Sequence, residues 1–207
     1  MFTDRRDAGK QLAHELMRLA SSMPIILALP RGGLSIGREV ADTLNAHLDV
    51  LNVRKLGAPH NPEFAIGAVG EGDVVVLDQG SISTAGVSDV LRDRLISEAV
   101  SEIERRVDAY RGGRSLTNVA GRTVIVVDDG LATGATAEAA VRVVRALGAA
   151  TVILAVPTGS RQALTRLTPL CDEVVCLEVP EWFASVGSQY EFFPQVSDDE
   201  VVAMLHA

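Results

Sequence analysis

Cysteine is nearly absent from this 207-residue chain, with only Cys171 and Cys176 present. Two thiols make no disulfide framework, and no secretory signal precedes them. Both read as small buried hydrophobes in a reducing, cytoplasmic setting. Excess positive charge is also missing. A formal net charge of −8 argues against nucleic acid as the main partner, because a phosphate backbone calls for a basic face. No apolar run exceeds strand length, so no membrane span is expected. His14, His47, His60 and His206 show no metal-ligand spacing, so no zinc site is indicated. Internal repeats and low-complexity segments are lacking as well.

What is present suits a folded chain. Hydrophobic residues make up 47%, enough for a real core, and the length fits one domain over 1–207. Residues 4–20 read as an amphipathic helix with Ala8, Leu12, Leu16 and Leu19 on one face and Thr3 as its N-cap. The run Ile25 to Leu29 reads as a parallel strand buried on both faces. Pro30-Arg31-Gly32-Gly33 breaks it, and helical spacing resumes over 34–46. Leu48 to Val53 reads as a second strand ending at Arg54-Lys55. Residues 56–72, with four glycines, Pro59, Pro62, His60 and Glu63, read as a long irregular excursion. Val74 to Leu77 is a short strand, paired antiparallel with part of that excursion. Residues 87–110 predict the longest helix, with the stripe Val87, Leu91, Leu95, Ala99, Ile103, Val107 and Tyr110, stopped by Gly112-Gly113. The stripe is long for one small domain, which suggests a homodimer.

The organising stretch is Thr123 to Thr136, T-V-I-V-V-D-D-G-L-A-T-G-A-T. An apolar strand ends in two carboxylates, Asp128 and Asp129, and a loop of small residues leads into a helix ended by Gly148. Further strands are expected over Thr151 to Val156 and Glu173 to Val179, with helices over 160–168 and 198–206, the last capped by Ser197. Strands alternating with helices predict an α/β, doubly wound, mainly parallel sheet. Ligands bind beyond the carboxyl ends of such strands, which gathers Arg31, Lys55, Asp128 and residues 130–136 on one edge. Small residues before a helix leave N–H groups open to an anion, with Thr133 alternatively a plain N-cap. Adjacent acids at a strand end point to different sides and call for hydroxyl donors, water or a cation such as Mg²⁺.

Val124 to Thr136 resembles the phosphoribosyl pyrophosphate (PRPP) motif of the type I phosphoribosyltransferases: a hydrophobic strand, two acids, then A-T-G-x-T. Within that family the chain looks most like the group of predicted phosphoribosyltransferases. The resemblance implies Mg²⁺-dependent transfer of a phosphoribosyl group from PRPP to a nucleobase or similar acceptor, as in nucleotide salvage. It implies that Asp128 and Asp129 hold the ribose hydroxyls, directly or through Mg²⁺-bound water. It also implies that Ala132, Thr133, Gly134, Ala135 and Thr136 cradle the 5-phosphate. Leu29 to Gly33 looks like the family's pyrophosphate loop, with Arg31, Gly32 and Gly33 facing the leaving group and a cis peptide at Pro30–Arg31. Arg54 and Lys55 would open a lid or insertion covering about 56–120. A hood over about 180–197 would stack Phe183 on the base and offer Glu191 to a second Mg²⁺.

One departure concerns the acceptor. Where the hypoxanthine-guanine branch carries an aspartate before T-G, this chain has Ala132; the L-A-T-G core is closer to the adenine and uracil branches. The alternative function is a non-catalytic sensor of PRPP or a nucleotide. A dinucleotide-binding oxidoreductase lacks its G-x-G-x-x-G fingerprint here.

Overall fold

The computed structural model describes residues 1–206, and the side chain of Glu63 lies outside the described residues. Its centre is a five-stranded parallel sheet. The strands are β1 (Ile25–Ala28), β2 (His47–Val50), β6 (Thr123–Val127), β7 (Thr151–Thr158) and β8 (Glu173–Glu178), in the order β2-β1-β6-β7-β8. β3 (Val53–Ala58), β4 (Asn61–Gly70) and β5 (Val74–Leu77) form a separate antiparallel sheet. The helices are α1 (Arg5–Leu16), α2 (Gly32–Leu44), α3 (Gln79–Thr84), α4 (Asp89–Arg111), α5 (Ala135–Ala146), α6 (Arg161–Leu167) and α7 (Asp198–His206).

The continuous apolar runs are explained by burial on both faces. Alternate residues Ile25, Leu27, Val124, Val126, Val152 and Leu154 join the α5 side. Their neighbours Ile26, Ile125, Val127, Ile153 and Ala155 pack with Leu12 and Leu16 of α1 and Ile36 and Val40 of α2. With helices on both faces the sheet is doubly wound, as the sequence predicts. β1 pairs β6 in register, Ala28 beside Val127. The strand order reverses at this pair, so the loops after β1 and β6 leave the same edge side by side.

The expected irregular excursion over 56–72 is instead most of a hairpin. Val53 opens β3 rather than closing β2, Gly57 sits at a register shift, and residues 61–70 are strand. Glycine and proline mask the period-two pattern in the sequence, and α3 carries no strong periodicity. The expected pairing of 74–77 with this segment holds, Gly67 opposite Leu77. One cap differs from expectation. Asp4, not Thr3, caps α1 by accepting from the Asp7 N–H at 2.8 Å. At the other end, Ser197 caps α7 as predicted, and Glu200 reaches back to the Ser197 N–H at 2.7 Å.

α4 explains its own stripe. Leu91, Leu95, Ala99, Ile103 and Val107 pack on Leu56, Ile66 and Val69 of the hairpin, within one chain. That face, which suggested a dimer, is therefore occupied from inside. Cys171 and Cys176 are half-buried against the α5 core, and burial pushes both thiols up to about 11. Among the described residues no helix is long and apolar enough to cross a membrane.

The last turn of α4 is anchored by charge. Arg111 is buried, its guanidinium between Asp49 of β2 (3.4 Å) and the carboxylate of Glu71. Asp49 also accepts from the Thr117 N–H at 3.0 Å, and Glu71 from the Asn52 N–H at 2.8 Å. Removing the cation would leave two buried carboxylates uncompensated. Arg111→Met is expected to lower the unfolding free energy by about 3–5 kcal/mol in urea titrations. Adding Glu71→Gln to it should restore a large part of the loss. An unchanged urea midpoint in Arg111→Met would contradict this account of the anchor.

Candidate active site

The two loops at the β1/β6 switch point approach to van der Waals limits. The Leu29 N–H donates to the Val127 carbonyl at 2.8 Å, and the Pro30–Arg31 peptide is cis, as expected. α2 then starts directly against the acids. A Cβ on Gly33 would stand 2.8 Å from the Val127 carbonyl oxygen and 2.9 Å from Asp128 Cα, while one on Gly32 would occupy the place of the Asp129 carboxylate. These two positions therefore require glycine for space.

The paired acids differ sharply in their surroundings. Asp129 Oδ2 accepts from Arg5 Nε at 2.8 Å, with side-chain exposures of 16% and 10%. Arg5 also donates to the Pro194 carbonyl at 2.7 Å and lies over the Phe193 ring at 3.6 Å. The Tyr190 hydroxyl donates to the Asp129 carbonyl at 2.6 Å, and Tyr190 stacks on Phe193. Among the described residues Asp128 accepts only the Asp129 N–H, at 2.8 Å, through one oxygen. Burial and then the Asp129 charge push the Asp128 carboxyl well above the usual range. Burial also raises Asp129, with Arg5 pulling against it. Sequence reasoning missed Arg5 and Tyr190. Arg5 reads as one more polar position on an amphipathic helix, and nothing local signals a partner 124 residues away.

The loop after the acids is tied back on its carbonyl side. Ser160 Oγ donates to the Ala132 carbonyl at 2.6 Å, and Arg166 donates to the Thr133 carbonyl. Glu138 holds Arg166 at 3.1 Å and Arg142 at 3.0 Å. Gly134, at φ +71°, caps α5, so the alternative of Thr133 as the N-cap is not realised. Thr133 Oγ1 instead accepts from the Ala135 N–H at a long 3.4 Å. A side chain at Gly134 would meet Leu167 Cδ1 at 2.8 Å. The N–H groups of Thr133, Gly134 and Thr136 donate to no acceptor among the described residues. With carbonyls held by α6 and amides open, the turn at the positive end of α5 has the geometry to receive an anion.

The remaining expected residues are distributed unevenly. Arg31 is half-exposed beside the acid edge, 3.9 Å from Asp198, which also accepts from the Tyr110 hydroxyl at 2.8 Å. Lys55 lines a cavity of about 210 Å³ with Ala135, Glu138, Arg142 and Arg166, on the cradle side of the hairpin. Arg54 is the correction here. Strand alternation turns it to the other face, 3.9 Å from Glu102 of α4. Phe183 is half-buried, and the residue of its stretch that reaches the acid loop is Val186, whose Cγ1 lies 2.7 Å from where a Gly130 Cβ would stand. Glu191 is exposed, its N–H bonded to the Phe2 carbonyl at 2.9 Å. Among the described residues no three His, Cys, Asp or Glu side chains cluster as a metal site, so Glu191 is not gathered with Asp128 and Asp129. Two carboxylates, one with an oxygen free of protein donors, still fit a hard cation that keeps most of its water.

Comparison with known proteins identifies the family. A family model described as a phosphoribosyl transferase domain matches residues 4–191. MT0597 of Mycobacterium tuberculosis (strain CDC 1551 / Oshkosh), named provisionally as a phosphoribosyl transferase, is 47% identical over 205 residues, which are 99% of this chain and 46% of that protein. The chain thus spans about half the length of the curated relatives it matches. The crystal structure of TT1426 from Thermus thermophilus superposes with a TM-score of 0.92 at 44% identity, covering 99% of this chain and 97% of that one. AQ2163 of Aquifex aeolicus shares the fold alone, with a TM-score of 0.54 at 15% identity over 88% of this chain and 78% of its own. By sequence and by fold, the chain belongs to the phosphoribosyl transferase family.

Proposed function

We propose that this chain transfers the phosphoribosyl group of PRPP to a nitrogenous base or similar acceptor, releasing pyrophosphate. The observation that carries the reading is the single edge formed at the β1/β6 switch point. There an open carboxylate, Asp128, lies between a glycine loop bearing Arg31 and an amide cradle at the start of α5. A ribose carrying a phosphate at one end and a pyrophosphate at the other has the chemistry to span these features.

In this reading the N–H groups of Thr133, Gly134 and Thr136 take the 5-phosphate, and the acid pair takes the ribose hydroxyls. Arg31 and the N–H groups about Gly32 and Gly33 take charge on the pyrophosphate, and Lys55, on the cradle side of the hairpin, adds positive charge toward the 5-phosphate. Asp128 and Asp129 are the residues that would hold Mg²⁺, which when bound neutralises phosphate charge. The bond between the anomeric carbon and the pyrophosphate oxygen breaks, its electrons leaving with pyrophosphate. A nitrogen lone pair of the acceptor then forms the new bond to the oxocarbenium-like carbon. Positioning and charge stabilisation carry the rate, since no covalent intermediate with the protein is needed.

One feature favours a second reading. Ala132 offers no proton-transferring group beside the acceptor, which suits a PRPP or nucleotide sensor. Incubation with labelled PRPP, Mg²⁺ and a panel of nucleobases is expected to release pyrophosphate with at least one acceptor. Binding without release for every acceptor would favour the sensor, and absence of binding would refute both.

The cradle has its own test. Gly134→Ala places a Cβ against Leu167 and strains a left-handed residue by about 1–2 kcal/mol. PRPP affinity measured by calorimetry is expected to fall by about tenfold or more for that displacement. Wild-type affinity in a folded Gly134→Ala protein would remove the loop from the phosphate site.

A further inference from the structure

We infer that the cavity at the far end of α5 from the acid edge is a second ligand site, built for a small organic cation: an ammonium or guanidinium group on an apolar body. The inference is independent of the proposed phosphoribosyl transfer, because no residue of the candidate active site lines this cavity.

The cavity, of about 680 Å³, opens where α4, the β4–β5 turn, the segment 113–119 and the C-terminus of α5 meet. That volume lies in the range of small-molecule sites. The 12 residues of α5 separate it from the turn at Gly134 by about 18 Å of helix. Its lining is apolar, from Ile103 and Val107 of α4, Leu116 and Val119 of the segment before β6, and Leu147. Val107, Leu116 and Leu147 are only partly buried, which leaves apolar surface for a ligand to cover.

The charges around this apolar lining are all of one sign: Glu71, Asp73, Glu104 and Asp108. Glu71 is already committed to Arg111 and to the Asn52 N–H. The acids of α4 divide according to their place. Asp89 and Asp93 share Arg92, Glu98 takes Arg94, and Glu102 takes Arg105 and Arg106, all within the helix. Glu104 and Asp108 line the cavity, and among the described residues neither pairs with a cation; nor does Asp73. The unmatched carboxylates of α4 thus coincide with the cavity. An apolar space with such a rim attracts a cation that carries an apolar body and repels the matching anion. A molecule seated there would touch α4, the β4–β5 turn and the end of α5 together. It would therefore brace the hairpin on the helix against which Gly70 already packs without room for a Cβ.

The probes are n-butylammonium, n-hexylammonium and n-octylammonium, with n-hexanoate as the charge-reversed control, titrated calorimetrically into the full chain at low salt. Hexylammonium is expected to bind once per chain, with affinity rising about threefold or more per added methylene. Hexanoate should bind at least about tenfold more weakly. Hexylammonium at ten times its Kd should raise the unfolding midpoint by about 3–6 °C. Glu104→Gln combined with Asp108→Asn changes exposed positions only and should weaken hexylammonium by about tenfold. Val107→Trp fills the apolar space and should abolish binding; if that variant does not fold, the paired charge variant decides.

No binding at millimolar concentration would overturn the inference, as would equal affinity for hexanoate or undiminished affinity in the folded charge variant. Binding of several molecules that persists in folded Val107→Trp would show adsorption elsewhere and overturn it too. Sedimentation covers the remaining occupant: a wild-type dimer that hexylammonium dissociates would assign the cavity to a second copy of the chain and overturn the small-molecule site.

Discussion

Two carboxylates side by side at the end of a buried strand repel each other and lose water, and much of the surrounding structure resolves that conflict. Asp129 is neutralised by Arg5 and Asp128 is left open. Bringing a guanidinium to that place requires α1 to lie on the sheet. It does so through Ala8, Leu12 and Leu16, packed with Ile125 and Val127. Arg5 then needs cover, which Phe193, Tyr190 and the Pro194 carbonyl supply. The irregular tail is held in turn by backbone bonds from Glu191 and Phe192 to Phe2 and Thr3. One electrostatic constraint thus links the first residues of the chain, its central strand and the tail at 190–194.

The cradle at the start of α5 obeys a different logic, in which backbone carbonyls rather than charges are restrained. Ser160 and Arg166, both from the α6 region, take the carbonyls of Ala132 and Thr133. A peptide plane whose oxygen is held on one side presents its N–H to the other. Glu138 then balances Arg142 and Arg166, so the cations nearest the cradle are pre-paired and arranged before any anion arrives. Preorganised donors of this kind need little rearrangement when a phosphate binds.

How much of this was legible in the sequence follows from the range of each interaction. β6 was legible to the residue, because a strand buried on both faces has to be apolar throughout and the acids mark its end. The glycines at 32 and 33, the cis peptide and the α5 loop lie within a few residues of that motif or of its counterpart after β1. The hairpin was hidden because Gly57, Pro59, Pro62 and Gly67 interrupt its alternation, and its strands are specified by α4 and α5 packing on their two faces. Arg54 was misplaced for the same reason: without the strand, its face could not be assigned. Arg5 was invisible since its partner is set by tertiary approach alone. The family resemblance could name both acids but not the Arg5 that bonds one of them.

The acceptor side is built from looser material than the donor side. Trp182 is 89% exposed, Phe183 is half-buried, and Val186 rather than an aromatic ring reaches the acid loop. Ala132 itself carries no ionisable group, and the Asp129 carboxylate of the motif is bound to Arg5. Under the proposed reaction the protein therefore contributes little to moving a proton on the acceptor. An attacking nitrogen that already presents its lone pair at neutral pH meets that condition, whereas one that must first lose a proton does not. Under that proposed reaction, acceptor selectivity would rest on the shape above Gly130 and Val186 rather than on a proton relay.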